Sequence, residues 1–522
     1  MNEEATSYDR VPYRCTVHTV TAPHYLAVVS RVHGGPEPRS SAYRMLELGC
    51  GDGTNLLSLA FFNPACSFVG VDASRVQIEM GRRAIAELGL ENLTLEVGDV
   101  RALPASCDGE FDYIVSHGVF SWVPEDARAG ILRSARARLA QNGLLYVSYN
   151  VLPGWKMRGV VRDLAMQAAG DIADGRERVA AARKAATELR DLLDVEHPYR
   201  AILKKELGSV IDSELSYVLH EYLSEENVAF YFSDFVALAA RAGFAHVGDA
   251  LIRSVENSLP REARERLGKE AAGVEGHRLS DLIHNRPFRA TVLCRDDARV
   301  TAPESAHELL RSLSVAARLT SADLELDLED GVEISFSSPS GSVVTAKDPL
   351  LKACISLLAD RYPDSIAFDG LVTEATELLR ARKPNTEVRP EQIDKLVRGL
   401  LLLYQNEQGE LRVAHPELRV TPSERPRLGK LARFELEGGR HFTTPLHIPM
   451  PLEPIERQIA ARLDGTRTAR ELVPELARRA AQGDPVISVE GRPITDPALL
   501  EPMVEALVHR TLGRLARWGL AT

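Results

Sequence analysis

The stretch from Tyr43 to Ser74, YRMLELGCGDGTNLLSLAFFNPACSFVGVDAS, constrains this chain more than any other. Arg44-Met45-Leu46-Glu47-Leu48 is a short apolar run ending in Gly49, Gly51 and Gly53. It is too short for a free-standing helix and is punctuated like a strand entering a tight turn. Thr54 to Phe62 then carries Leu56, Leu57, Ala60 and Phe61 at helical spacing, and Phe68-Val69-Gly70-Val71 is a second apolar run with Asp72 at its end. Strand, glycine turn, helix and strand make half of a doubly wound α/β sheet, whose ligand sits off the carboxyl ends of the strands. A dinucleotide fingerprint would need its third glycine at Thr54, and no phosphate-holding lysine follows the turn, which excludes a P-loop. An acid about 20 residues beyond such a turn is placed to accept both ribose hydroxyls. The pattern points to an adenosine-bearing ligand without a pyrophosphate.

ELGCGDG followed by FVGVDAS resembles the class I S-adenosylmethionine-dependent methyltransferases. FDYIVSHGVFSWVP and YVSYNVLPGWKMR closely resemble one group of that family, which carries a methyltransferase regulatory domain and includes the lysine methyltransferases of rickettsial outer-membrane proteins. The start SYDRVPY is similar to that group's YD-x-x-PY arm, and His220-Glu221-Tyr222-Leu223 with Asn227 and Tyr231-Phe232 resembles its regulatory core. The likeness is closest over 8–156, looser over 215–295 and faint after 300. It implies S-adenosyl-L-methionine as cofactor. Glu47, Gly49, Cys50, Gly51 and Asn55 would hold it at the turn, Asp72, Ala73 and Gln77 at the second strand, and Asp99, Val100, Ser116 and His117 at the third and fourth. An arm of this kind often folds over the cofactor mouth, so Tyr8 and Tyr13 are expected to line it. Trp122, Tyr149 and Trp155, at the carboxyl edge of the sheet, join His117 as the expected catalytic and substrate-side residues. His117 is open to three roles: general base, cofactor ligand or satisfied loop histidine. The loop lacks the (N/D)-P-P-(Y/F) signature of enzymes that methylate planar nitrogens, which disfavours a base or glutamine acceptor.

Further along, Arg75 to Leu88 reads as an amphipathic helix with Val76, Ile78, Met80, Ile85 and Leu88 mostly inward. Leu93 to Val97, Phe111 to Val115 and Gly143 to Asn150 read as strands three to five. Residues 157–227, rich in Ala, Arg, Leu and Glu, read as inserted helices, which suit dimerisation or a lid. Gly243 to Gly248 and Phe288 to Cys294 complete the sheet. The fold class expected is thus a Rossmann-like α/β methyltransferase sheet with a helical insert, followed by α+β winged-helix-like domains. The expected boundaries are an arm over 1–30, the sheet domain over 31–298, and winged-helix-like domains over 299–435 and 436–522. In the middle domain Thr301 to Thr320 reads as a helical linker and Leu324 to Val344 as a β-ribbon around Asp330-Gly331. Three helices follow (348–362, 367–379 and 390–404). Three more lie at 453–463, 469–481 and 499–520.

A chain of 522 residues exceeds one core, and 44% hydrophobic with 26% charged residues is a soluble globular balance. Its net charge of -11 argues against general nucleic-acid binding. Arg510, Arg514 and Arg517 share one face of the last helix, a stripe that raises the alternative of a cofactor-sensing DNA-binding regulator. A small-molecule methyltransferase is the other alternative to a protein or peptide substrate. The six cysteines show no metal-ligand spacing and read as reduced thiols, so no metal is expected. Neither a signal peptide nor a membrane span is expected, and a cytoplasmic location follows.

Overall fold

The computed structural model describes residues 7–194, 196–251, 259–299, 305–321, 327–413, 418, 420–489 and 492–522. The chain divides into two compact units, one of residues 1–16 and 29–303, the other of 17–28 and 304–522.

The first unit is built on eight strands: β1 Arg44–Leu48, β2 Ser67–Asp72, β3 Leu93–Val97, β4 Phe111–Ser116, β5 Leu139–Val151, β6 Ala229–Phe230, β7 Phe244–Asp249 and β8 Phe288–Arg295. Their order is β3-β2-β1-β4-β5-β8-β7, with β6 beside β5. Strands β1 to β5 run parallel, and β8 runs antiparallel to both its neighbours. Parallel strands covered on both faces bury nearly every residue, and β4 is buried along its whole length, with Tyr113, Ile114 and Val115 at its centre. The order reverses between β1 and β4, and the loops after these strands open the crevice where a doubly wound sheet takes its ligand.

Strand β5 outruns β4. Their pairing ends at Ser116 opposite Val147, and β6 pairs with Asn150 and Val151 above that point. Leu145, Val147, Tyr149 and Val151 enter the core with Ile114, Phe120, Ile131 and Phe235. Side chains alternate along a strand, so Tyr146, Ser148 and Asn150 point to the opposite face.

The expected insert is helical: Gly154–Ala169, Gly175–Asp191, Pro198–Asp212 and Leu215–Tyr222. Their small and branched residues, among them Val161, Ala165, Ala182, Leu207 and Val218, form a core of their own. The helix Arg75–Leu88 buries Gln77, Ile78, Gly81, Ala84 and Leu88, whereas Val76 and Met80 are exposed, contrary to expectation. The stripe rotates because Gly81 packs against backbone: a Cβ there would stand 2.4 Å from the Asp52 carbonyl oxygen.

In the second unit the expected linker is only partly helical. Residues 301–304 lie outside the described residues, Ala306–Arg311 is a helix, and Ser314–Ala316 is a strand. Val315 is buried there between Ile366 and Leu411, its antiparallel partners, so sheet pairing overrides helical propensity. The ribbon pairs Ile334–Ser337 with Val343–Ala346 across a turn at 338–342, where Gly341 supplies the positive φ, and with Thr320–Ser321 on its other side. Asp330-Gly331 is a second turn, in the connection from Thr320–Ser321 to Ile334–Ser337. Of the segment read as its first strand, 322–326 lies outside the described residues. The three helices follow as Pro349–Arg361, Phe368–Arg382 and Pro390–Gln405. Pro454–Ala460, Ala469–Ala481 and Pro497–Arg517 are the last three expected. The arginine stripe is broken, because Arg514 is tied 2.9 Å from Glu456 and 2.9 Å from the Pro451 carbonyl. Among the described residues no helix is long and apolar enough to cross a membrane.

Candidate functional site

Strand β1 ends in a turn that only glycine fits. Gly49, Gly51 and Gly53 all have positive φ. A Cβ on Gly49 would meet Val119 at 2.2 Å, and one on Gly51 would meet the Cys15 sulfur at 2.4 Å. The turn is pinned to β2: the N–H groups of Gly49 and Cys50 donate to the Val71 carbonyl at 2.8 and 3.1 Å. Gly51 N–H donates to Asp72 Oδ2 at 2.8 Å, while Ser74 N–H donates to Oδ1 at 2.8 Å. Burial pushes the Asp72 carboxyl above its ordinary range, and these two donors oppose the shift. Each oxygen keeps lone-pair capacity beyond those bonds.

Glu47 is 4% exposed. Its Oε1 accepts from Asn55 Nδ2 at 3.0 Å, but its Oε2 is buried with no hydrogen-bond partner. Burial raises the carboxyl to about 8, against the lowering effect of Asn55, with Asp72 and Asp52 adding to the rise. Asn55 therefore orients Glu47, and Glu47 holds an acceptor that the protein leaves unused.

The N-terminal arm is brought to this turn. Asp9 Oδ1 accepts from Ser74 Oγ at 2.8 Å and from Val76 N–H at 3.2 Å, an acid at the N-terminus of the Arg75–Leu88 helix. Gln77 Nε2 donates to the Tyr13 carbonyl at 3.4 Å, so its amide holds the arm. Tyr8 stacks on His220 at 4.1 Å, Tyr13 meets the same ring edge-on at 6.0 Å, and His220 Nε2 lies 2.9 Å from the Val11 carbonyl. Burial with the charges of Glu221 and Asp72 raises the Tyr8 phenol to about 12.

After β4, His117 Nδ1 lies 2.8 Å from Tyr146 Oη, and Gly118 N–H donates to Ser148 Oγ at 2.8 Å. Ser116 is buried and its hydroxyl has no partner. Trp122 and Trp155 meet edge to face at 5.8 Å. Asp99 is half of an exposed pair with Arg101, which holds its carboxyl below the ordinary range, and Val100 packs on the core beside it. Cys50 is buried and its thiol raised; Ala73 stands exposed at the lip.

Tyr149 is the correction. It is 1% exposed in the core, stacked on Phe235 at 3.8 Å with its Oη 3.0 Å from Thr291 Oγ1. The strand's period of two puts it on the core face with Phe235 and puts Ser148 and Asn150 on the opposite face. Asn150, 2% exposed, donates its N–H to Ser121 Oγ at 2.8 Å, yet its side-chain nitrogen is buried without a partner. Asn227, just before β6, buries both its amide atoms unpartnered, and Val228 N–H beside it donates to the Ser121 carbonyl at 2.8 Å. A buried polar atom lacking a partner costs about 1–3 kcal/mol, a cost that a ligand's hydrogen bond offsets.

Comparison with known proteins bears on this crevice. Residues 39–212 match the pattern described as a methyltransferase domain, and 214–295 that of a predicted methyltransferase regulatory domain. Residues 424–520 match the PKMT C-terminal winged helix domain. An uncharacterized protein of Rickettsia prowazekii is 27% identical over 97% of this chain and 93% of its own length. A second uncharacterized protein of that organism is 35% identical over 46% of this chain and 95% of its own length. The chain belongs to the S-adenosylmethionine-dependent methyltransferases. The structure of PKMT2 from Rickettsia typhi in complex with AdoHcy superposes on this methyltransferase with a TM-score of 0.85, at 26% identity over 98% of this chain and 100% of that one. The first unit's strand order, with one antiparallel strand, is accordingly the methyltransferase sheet, and the C-terminal helices and hairpins are a winged-helix domain.

Of the residues read from the methyltransferase sequence, the structure gathers Glu47, Gly49, Cys50, Gly51, Asn55, Asp72 and Gln77 around one turn. It brings Tyr8 and Tyr13 to the end of β2 through the arm. His117, Trp122 and Trp155 lie at the ends of β4 and β5, and Tyr149 does not join them. Sequence reasoning missed Ser148, Asn150 and the clamp made by Asp9. Polar residues at alternate positions of an otherwise apolar strand were the available signal for the first two.

Proposed function

We propose that this methyltransferase acts on a protein, at the side-chain amine of lysine. The observation that carries the substrate half is the aromatic edge of the crevice: Trp122 against Trp155, with Tyr8 and Tyr13 drawn in by His220. The likeness to PKMT2 and to the PKMT winged-helix domain supports a polypeptide substrate.

The residues present fit S-adenosylmethionine. When bound, its sulfonium supplies an electrophilic methyl group. Asp72, oriented by Gly51 and Ser74, would accept from the ribose hydroxyls. Glu47 Oε2, buried and unpartnered, suits the ammonium of the methionine end. Asp99 and Val100 would flank the adenine, while Gly49 and Gly51 let backbone approach where any side chain would collide.

The remaining task is to expose a lone pair on the acceptor. A lysine amine with a pKa near 10.4 must lose its proton about 3 units below that value, on the order of 4 kcal/mol near neutral pH. Aromatic walls that exclude water favour the neutral amine by desolvation. Positioning at about 3 Å then converts an encounter into an intramolecular step. The arginine stripe gives a DNA-binding regulator little support, since Arg514 is paired with Glu456.

The test is transfer from a methyl-labelled donor into proteins of a cell lysate, followed by amino-acid analysis. Label in methyl-lysine is expected. Label confined to low-mass material would overturn the proposal.

A further inference from the structure

We propose that Glu221 is the base that takes the proton from the substrate's ammonium. The proposal rests on the lysine reading above. Glu221 stands on the Leu215–Tyr222 helix, next to the His220 that binds the arm through the Val11 carbonyl and the Tyr8 ring. It is half-buried, and no hydrogen-bond donor among the described residues engages its carboxylate. The neighbouring acids differ. Asp72 accepts from Gly51 and Ser74, Asp9 from Ser74 and Val76, and Glu47 from Asn55.

The groups whose charges act on Glu221 come from three elements. Tyr8 and Tyr13 come from the arm, and Tyr217 lies one turn back on its own helix. Arg158 comes from the Gly154–Ala169 helix, and its Nε lies 3.5 Å from Glu206 of the Pro198–Asp212 helix, which shares its charge. Three phenols and a divided guanidinium around one carboxylate make an acidic, aromatic-walled place for a cation. Tyr8 stacks on His220, and Asp9 beside it accepts from Ser74 Oγ and Val76 N–H, so this place adjoins the end of β2 where the ribose is expected. Burial lifts Glu221 to about 7, with Arg158 opposing. A base of that strength both attracts the ammonium and accepts its proton near neutral pH.

The step balances. One Nζ–H bond breaks, the proton goes to a Glu221 oxygen, and the electron pair stays on Nζ. That pair forms the N–C bond as the C–S bond breaks, its pair going to sulfur. The product is a methylated ammonium, and Glu221 returns its proton to solvent.

The experiment measures methyl transfer into lysate protein from pH 5.5 to 9.5 for the parent, Glu221→Gln and Glu221→Asp. The parent rate should rise through about pH 7, where Glu221 ionises, and then level. Glu221→Gln should be at least hundredfold slower at pH 7 and lack that inflection. Its deficit should shrink about tenfold per pH unit above 7, as solvent deprotonates the amine instead. Glu221→Asp should restore an inflection. A Gln variant with the parent's rate and profile, or a deficit constant across pH, would overturn the proposal while leaving lysine as acceptor. A parent that labels no amine would overturn the lysine reading, and this role with it.

Discussion

Replacing Glu47 by Gln tests whether this acid is the strained, buried group at the heart of the crevice. Its carboxyl is raised from 4.5 to about 8 by burial. The unfolded chain binds that proton less tightly, so the folded state loses stability relative to it as pH rises from 4.5 toward 8. Each unit between those limits costs about 1.4 kcal/mol, so from pH 5 to pH 8 the parent should lose about 4 kcal/mol that the variant keeps. The Gln side chain still accepts from Asn55, and whatever it costs to bury its amide nitrogen does not depend on pH. The prediction is therefore a slope, independent of that offset. Trp122 and Trp155 lie in the unit that contains Glu47 and Trp518 in the other, so fluorescence in a Trp518→Phe background follows the right unit. Urea unfolding of the ligand-free parent and variant at pH 5 and pH 8 gives the comparison. A variant-minus-parent difference equal at both pH values would refute the reasoning.

Three further outcomes follow from the packing. Gly51→Ala forces a left-handed φ and a Cβ 2.4 Å from Cys15, so it should cost about 1–2 kcal/mol and speed tryptic cleavage in the arm at Arg14. Asn150→Ala removes an unpartnered buried amide, so thermal stability should hold or rise while methyl transfer falls at least tenfold; a fall in both would make Asn150 structural. Arg289→Met removes the fully buried guanidinium between Asp249 and Asp281 and leaves them Arg286, 3.3 Å from Asp281 and 3.8 Å from Asp249, so chemical denaturation should show a loss of about 3–5 kcal/mol.

Much of the sheet was legible because parallel strands write their burial as apolar runs and the turn writes its backbone as glycines. Helices such as Thr54–Phe62 and Pro390–Gln405 were readable from spacing and from a proline or glycine at the start. Short strands were not. Ser314–Ala316 is strand because Val315 is buried between partners roughly 50 and 100 residues away, and local sequence carries none of that. The site divided along the same line. Glu47, Asp72 and the glycines sit in one contiguous motif, and the fold keeps them at one turn. Tyr149 went wrong because an aromatic at a strand end looks like a wall, and only the parity of β5 shows that it faces the core. Asn227 and the unpartnered state of Glu221 depend on what surrounds them in space.

Calorimetric titration with S-adenosylhomocysteine tests the central claim most directly. The parent should bind, and Asp72→Asn, which is isosteric but sets a donor in place of one of the two oxygens that accept from Gly51 and Ser74, should bind at least tenfold more weakly. A parent that gives no heat, or an Asn variant that binds as the parent does, would contradict an adenosine site built on Gly49–Gly53 and Asp72.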